Sequence, residues 1–208
     1  METIKDYYDI AVLPSTEVSQ YCVDLSKGIN ARYGGDYHLD TDHNIPHISL
    51  FHTAFSEENL ELVKQILNSL SKRFNKLEAE INRFINSPEY KTVTLEVSPK
   101  KSFVPLHEEV ISQTIDLVDR EFDYYSSWSW SVQDKNERKY VDEYTTPLVK
   151  ENFIPHVTMN TLDNSEDVGK VEEEFELEKQ AFVASRLAIC TVGRHHSCQE
   201  VVHSILLS

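Results

Sequence analysis

Residues 46–51 read PHISLF and residues 155–160 read PHVTMN. Each runs proline, histidine, β-branched residue, hydroxyl residue, apolar residue, and the two histidines stand 109 positions apart. Enrichment in β-formers and alternation mark both stretches as strands. On a strand, residues i, i+2 and i+4 share a face. Counted in this way, His47, Ser49 and Phe51 point one way while Ile48 and Leu50 point the other. On the second strand His156, Thr158 and Asn160 share a face, opposite Val157 and Met159. Each strand then has an apolar side for helices and a polar side for a cleft, with one imidazole and one hydroxyl per strand.

Outward from these strands the chain alternates helix and strand signals. KDYYDIAVLP (5–14) reads as a strand ending at Pro14. Val18, Cys22, Leu25 and Ile29 recur at helical spacing until Gly34-Gly35. Ser56 suits the N-cap of a helix carrying Leu60, Val63, Leu67, Leu70 and Phe74 on one face. LEAEINRFI and YKTVTLEVS, separated by NSPE, form an expected antiparallel pair. Pro105 suits a helix start, and Val110, Ile111, Ile115, Val118 and Phe122 line one face of that helix. Residues 125–151 are polar and read as an irregular lid or insertion. After the second motif come a short acidic helix, SEDVGKVEEEF, and a closing strand pair, FVASRLAICTVG and EVVHSILL, around RHHSCQ. This order predicts an α+β fold of two related lobes, with antiparallel sheets lining a central cleft and helices outside. Residues 1–208 read as a single two-lobed domain.

Composition narrows the function. The chain has 208 residues, 40% hydrophobic and 26% charged, within the ordinary globular range. No apolar run reaches the roughly 18 residues of a membrane span, and no secretory leader is evident. Three cysteines, Cys22, Cys190 and Cys198, cannot all pair within the chain, so a reducing, cytoplasmic location is expected. A formal charge of −15 opposes binding to duplex nucleic acid, which needs a basic face. It leaves room for a small phosphorylated ligand in a local pocket. Five glycines and no Gly-rich phosphate loop argue against a dinucleotide or P-loop fold.

Two imidazoles facing one another across a cleft form a general acid and base pair near neutral pH. The two hydroxyls one step along, Ser49 and Thr158, suit hydrogen bonds to the non-bridging oxygens of a phosphate between them. In-line substitution at phosphorus needs one group to take a proton and another to give one, and paired histidines meet that need without a metal.

The two strings resemble the paired H-x-[S/T]-hydrophobic signatures of the 2H phosphoesterase superfamily, which includes RNA 2′,3′-cyclic phosphodiesterases and proteins called 2′-5′ RNA ligases. The element order and the closing RLAICTVGRHHSCQEVVHSILL are similar too, so the resemblance spans about residues 5–207. It implies a bilobal, pseudo-two-fold fold and metal-independent hydrolysis of a cyclic or 2′-5′ phosphodiester, by default a 2′,3′-cyclic phosphate end. His47 and His156 would be catalytic, and Ser49 and Thr158 would hold the phosphate. Separately from the resemblance, Phe51 at the end of the first strand's cleft face is a candidate substrate contact. The expected partner is a small nucleotide or short oligonucleotide, with no cofactor, no metal, no membrane and a monomeric state. A non-catalytic sequestering module and an RNA ligase are the alternatives.

Weaker features have competing readings. Phe51 either stacks a base or belongs to the core. Trp128, Trp130, Tyr140 and Tyr144 either line a lid over a nucleobase or anchor a loop. Arg138, Lys139 and Lys150 either assist phosphate binding or are solvated charges. Cys190, His195, His196 and Cys198 have zinc-ligand chemistry, but their spacing fits no closed site, and a turn between strands is expected to splay the two cysteines.

Overall fold

A computed structural model describes residues 4–129 and 133–208. In chain order the strands are β1 (Tyr7–Leu13), β2 (Tyr37–His38), β3 (Ile48–Ala54), β4 (Leu77–Phe84), β5 (Thr92–Ser98), β6 (His156–Thr161), β7 (Gln180–Ala184), β8 (Arg186–Val192) and β9 (Cys198–Leu206). The α-helices are α1 (Thr16–Tyr33), α2 (Glu57–Leu70), α3 (Lys100–Thr114), α4 (Tyr124–Ser127), α5 (Lys135–Tyr144) and α6 (Ser165–Glu174). The strands form two antiparallel sheets, ordered β3-β1-β8-β9 and β2-β6-β5-β4-β7. Each motif therefore lies on its own sheet, β3 at an edge and β6 inside, and the α+β two-sheet expectation holds.

Local signals explain most element ends. Ser15 caps α1 by accepting from the Val18 amide, and Ser56 caps α2 by accepting from the Asn59 amide. Gly34 ends α1 at φ 69°, where a Cβ would meet the Asp163 carboxylate at 2.4 Å. The apolar stripe of α2, Leu60, Val63, Leu67 and Leu70, is buried. Helix α1 follows β1 in sequence yet packs on β2 and β6 of the other sheet. Helices α2 and α3 pack against each other, with α3 also against β3 and α2 against β9.

Several expectations are corrected. Pro105 does not open α3 but sits inside it, because burial of Phe103 carries the apolar stripe back toward Lys100. That helix ends at Thr114, so Val118 and Phe122 lie beyond it. Residues 135–144, expected to be irregular, form α5, capped by Asp134 accepting from the Asn136 and Glu137 amides. Trp130 lies outside the described residues. FVASRLAICTVG is two strands in different sheets, with Ser185 at the switch between β7 and β8. Cys190 and Cys198 are not splayed. They lie diagonally across the β8–β9 pair, Cys190 opposite Val201 and Cys198 opposite Val192, with Cα atoms 5.4 Å apart, and form a disulfide. Only Cys22 remains a free thiol, and it is buried, so the odd cysteine number no longer argues for a reducing compartment. No helix among the described residues is long and apolar enough to cross a membrane.

Candidate active site

A cleft of about 930 Å³ opens where the two motif strands face one another, and His47, Ser49, His156 and Thr158 all line it. The two half-sites are built alike. The His47 Nδ1–H donates to the Ile45 carbonyl at 2.7 Å, and the His156 Nδ1–H donates to the Ile154 carbonyl at 2.6 Å. Each of those carbonyls belongs to the residue before a proline, which the proline ring restricts to extended backbone. The prolines thus aim a carbonyl that fixes the tautomer of the next residue and leaves its Nε2 for chemistry.

Strict alternation fails one residue after each motif hydroxyl, and in the same way. On β3, Ser49 pairs with Ala11 and Phe51 with Ile10, so Leu50 is a bulge. On β6, Thr158 pairs with Thr94 and Asn160 with Val93, so Met159 is a bulge. Beyond each bulge the faces swap. Phe51 is therefore opposite Ile10 in the core, 1% exposed. It also borders the cavity, but so little free ring surface is a poor platform for stacking a base. Asn160 likewise turns away from the cleft and donates to the Ser26 carbonyl of α1 at 3.1 Å. The cleft positions they were expected to hold go to His52 and Thr161, five residues after each motif histidine. A bulge leaves its own carbonyl outside the ladder, and a helix side chain takes up each one. The His107 Nδ1–H of α3 donates to Leu50 O at 2.7 Å, and Ser26 Oγ of α1 donates to Met159 O at 2.8 Å.

Register then relates the two halves residue by residue. The neighbours of β3 on β1 correspond to the neighbours of β6 on β5, so Asp9 matches Thr92 and Ala11 matches Thr94. At Asp9 the symmetry breaks. Its side chain is fully buried, accepts from Ser49 Oγ at 2.8 Å, and lies 3.6 Å from His47 Nε2 and 3.7 Å from His52 Nε2. Thr92 instead donates to Tyr90 O at 3.0 Å, and Thr158 has no side-chain hydrogen bond among the described residues.

Burial dominates the electrostatics. It pushes His47 down to about 4, against the Ile45 hydrogen bond, and the charge of a protonated His156 opposes a second proton there. Burial lowers His156 too, opposed by the Ile154 bond. Asp9 is pushed well above the usual carboxylate range, the Ser49 bond pulling the other way. Among the described residues, carboxylates outnumber lysine and arginine cations around the cleft: Glu89, Glu96, Glu137 and Glu151 against Arg83, which is itself held by Glu96.

The sequence profile of the 2′-5′ RNA ligase superfamily matches residues 27–196. The chain belongs to this superfamily. Solved structures similar to it share the fold at low identity. A Thermus thermophilus protein, TT0787, is 13% identical with TM-score 0.63, covering 97% of each chain. Escherichia coli LigT solved with ATP is 10% identical with TM-score 0.57, covering 98% of each chain. LigT with NADP+ is 11% identical with TM-score 0.55, covering 100% of this chain and 99% of that one. No curated protein matches the sequence.

Within this 2′-5′ RNA ligase superfamily chain, the remaining expectations divide. Trp128 is 1% exposed and stacks on His196 at 3.9 Å, so it anchors the segment and borders the cleft at once. Arg138 lies over the Tyr125 ring and Lys150 over the Tyr144 ring, and neither borders the cleft. Cys190 and Cys198 are committed to each other, whereas His195 and His196, on the turn between them, reach the cleft. Sequence reading missed Asp9, His52, Thr161 and His107. The isoleucine preceding each Pro-His was a visible sign that the matched phrase is one residue longer; nothing local marked the bulges.

The buried imidazoles make a prediction for stability. His47, His107 and His196 are each held down to about 4, chiefly by burial, and His52 well below its usual value. An unfolded chain takes up these protons near pH 6.5, whereas the folded one resists until about 4. Stability is therefore lost as pH falls through that window. Thermal melts should show Tm falling steeply below pH 6, by about 10 °C or more at pH 5. A Tm that stays level down to pH 4.5 contradicts this reading.

Proposed function

We propose that the protein is a phosphodiesterase in which His47 and His156 act as the acid and base pair, without a metal, on a cyclic or 2′-5′ phosphodiester of a nucleotide or short RNA. The default substrate is a 2′,3′-cyclic phosphate end. One observation carries this reading: two histidines, each with Nδ1 tied to the carbonyl two residues back, stand in register-equivalent places on opposite sides of one cleft. That arrangement leaves two Nε2 atoms for proton transfer, one on each side of a phosphorus atom bound between them. Thr158 offers a hydroxyl hydrogen with no competing partner among the described residues.

The cleft charge favours a substrate with few phosphates. Four glutamates around one engaged arginine disfavour a long polyanion, so a single phosphodiester with ribose hydroxyls and a base is the better fit. The same charge weighs against ligation, which must dock two RNA ends. LigT, similar in fold, has been solved with ATP and with NADP+, in keeping with a nucleotide ligand here.

The test is product analysis at neutral pH with EDTA present. Substrates are a nucleoside 2′,3′-cyclic phosphate, 2′-5′ and 3′-5′ oligoadenylates, and cyclic dinucleotides. Cleavage of one class that survives EDTA is expected. Tight binding without product would instead establish a sequestering module.

A further inference from the structure

Resting on that reading of the cleft, we propose that Asp9 is a positioning residue whose proton decides whether Ser49 can give its hydroxyl hydrogen to a bound phosphodiester. A serine hydroxyl has one hydrogen. Asp9 Oδ2 lies 2.8 Å from Ser49 Oγ, and the Asp9 side chain is fully buried beneath the cleft-lining serine. When Asp9 is ionised it only accepts, so Ser49 gives its hydrogen inward and turns lone pairs toward the phosphate oxygens. When Asp9 is neutral, its O–H donates to Ser49 Oγ, and the Ser49 hydrogen is released toward the cleft. The second half-site has no such gate among the described residues, since Thr92 replaces Asp9 and Thr158 has no side-chain partner there.

The surroundings fit a carboxyl that changes state. Asp9 Oδ1 has no hydrogen-bond partner among the described residues, an expensive place for a permanent charge. With Nδ1 of His47 already donating to Ile45 O, a neutral His47 presents an Nε2 lone pair 3.6 Å from Asp9 Oδ2. That lone pair adds to the cost of an ionised Asp9 and favours the neutral carboxyl. The other groups facing Asp9 are His52 on β3, Tyr7 on its own strand and, beyond His52, His196 on the turn before β9. Its neighbour on β8, Cys190, is held in the disulfide and does not titrate. Burial raises the Asp9 carboxyl, which moves the switch toward neutral pH.

The experiment follows KM and kcat for adenosine 2′,3′-cyclic phosphate against pH. In the wild type KM should rise about 10- to 100-fold as pH passes the Asp9 midpoint, the range for one hydrogen bond to a charged group. Asp9→Asn, uncharged at every pH and able to donate to Ser49, should remove that rise. Ser49→Ala should remove it as well, from a KM already high at low pH. A KM profile that keeps its rise in either variant overturns the proposal. A ligand-free readout works even if nothing is turned over. The Asp9 carboxyl carbon should titrate above the ordinary carboxyl range by NMR, with the His47 ring nitrogens inflecting at the same pH and losing that inflection in Asp9→Asn. Titration in the ordinary range overturns the proposal. Failure of the functional reading looks different: turnover would survive His156→Ala, a change outside this half-site.

Discussion

Replacing either His47 or His156 with alanine is expected to lower kcat by about 10²- to 10⁴-fold, the usual contribution of one general acid or base. KM should change far less, because neither imidazole is the main phosphate donor in the proposed mechanism. The double variant should be little worse than either single one, since an acid without its base completes no in-line displacement. Circular dichroism should stay native, as the hydrogen bond of each ring is to the carbonyl two residues back and holds no distant element in place. The pH profile of kcat/KM gives a second check. The active form needs one imidazole neutral and the other protonated. With His47 near 4 and His156 below its ordinary 6.5, that form is most populated on the acid side of neutrality. The bell should therefore peak below pH 6.5, with activity falling as pH rises through 7 and 8. Equal turnover by wild type and both single variants would end the two-histidine proposal.

The second large effect lies outside the cleft. His107 does not border the cavity, yet its Nδ1–H is the partner of the Leu50 bulge carbonyl. Its ring also stacks on Phe153 at 3.8 Å. His107→Leu keeps apolar bulk and leaves that carbonyl buried without a donor, a loss of about 1–3 kcal/mol. For a chain of this size Tm should fall by about 3–10 °C. Activity should fall more than stability alone explains. The bulge is what brings His52 to the cleft and sends Phe51 to the core, so a relaxed bulge disturbs the face that presents His47 and Ser49. Ser26→Ala tests the matching bulge on β6, where one hydroxyl both donates to Met159 O and accepts from the Leu39 amide. Unchanged Tm and kcat in both variants would mean that the bulges hold without their helix partners.

Local chemistry made much of the protein legible. The histidines, the hydroxyls beside them, the capped helices and the β4–β5 pair follow from residue types and short-range periodicity, which act over a few positions. The side-chain count was also right as far as Ser49 and Thr158. It broke at Leu50 and Met159, because a bulge is stable only where its freed carbonyl finds a donor. Those donors, His107 and Ser26, stand 57 and 133 residues away in the chain. The Asp9 contact with Ser49 spans 40 residues, and the contact between Cys190 and Cys198 depends on two strands closing antiparallel. By itself, then, the sequence determined which chemical groups the protein has and which strands carry them. Tertiary structure alone decided which groups share the cleft, because a buried polar atom must be satisfied by whatever the fold brings within reach.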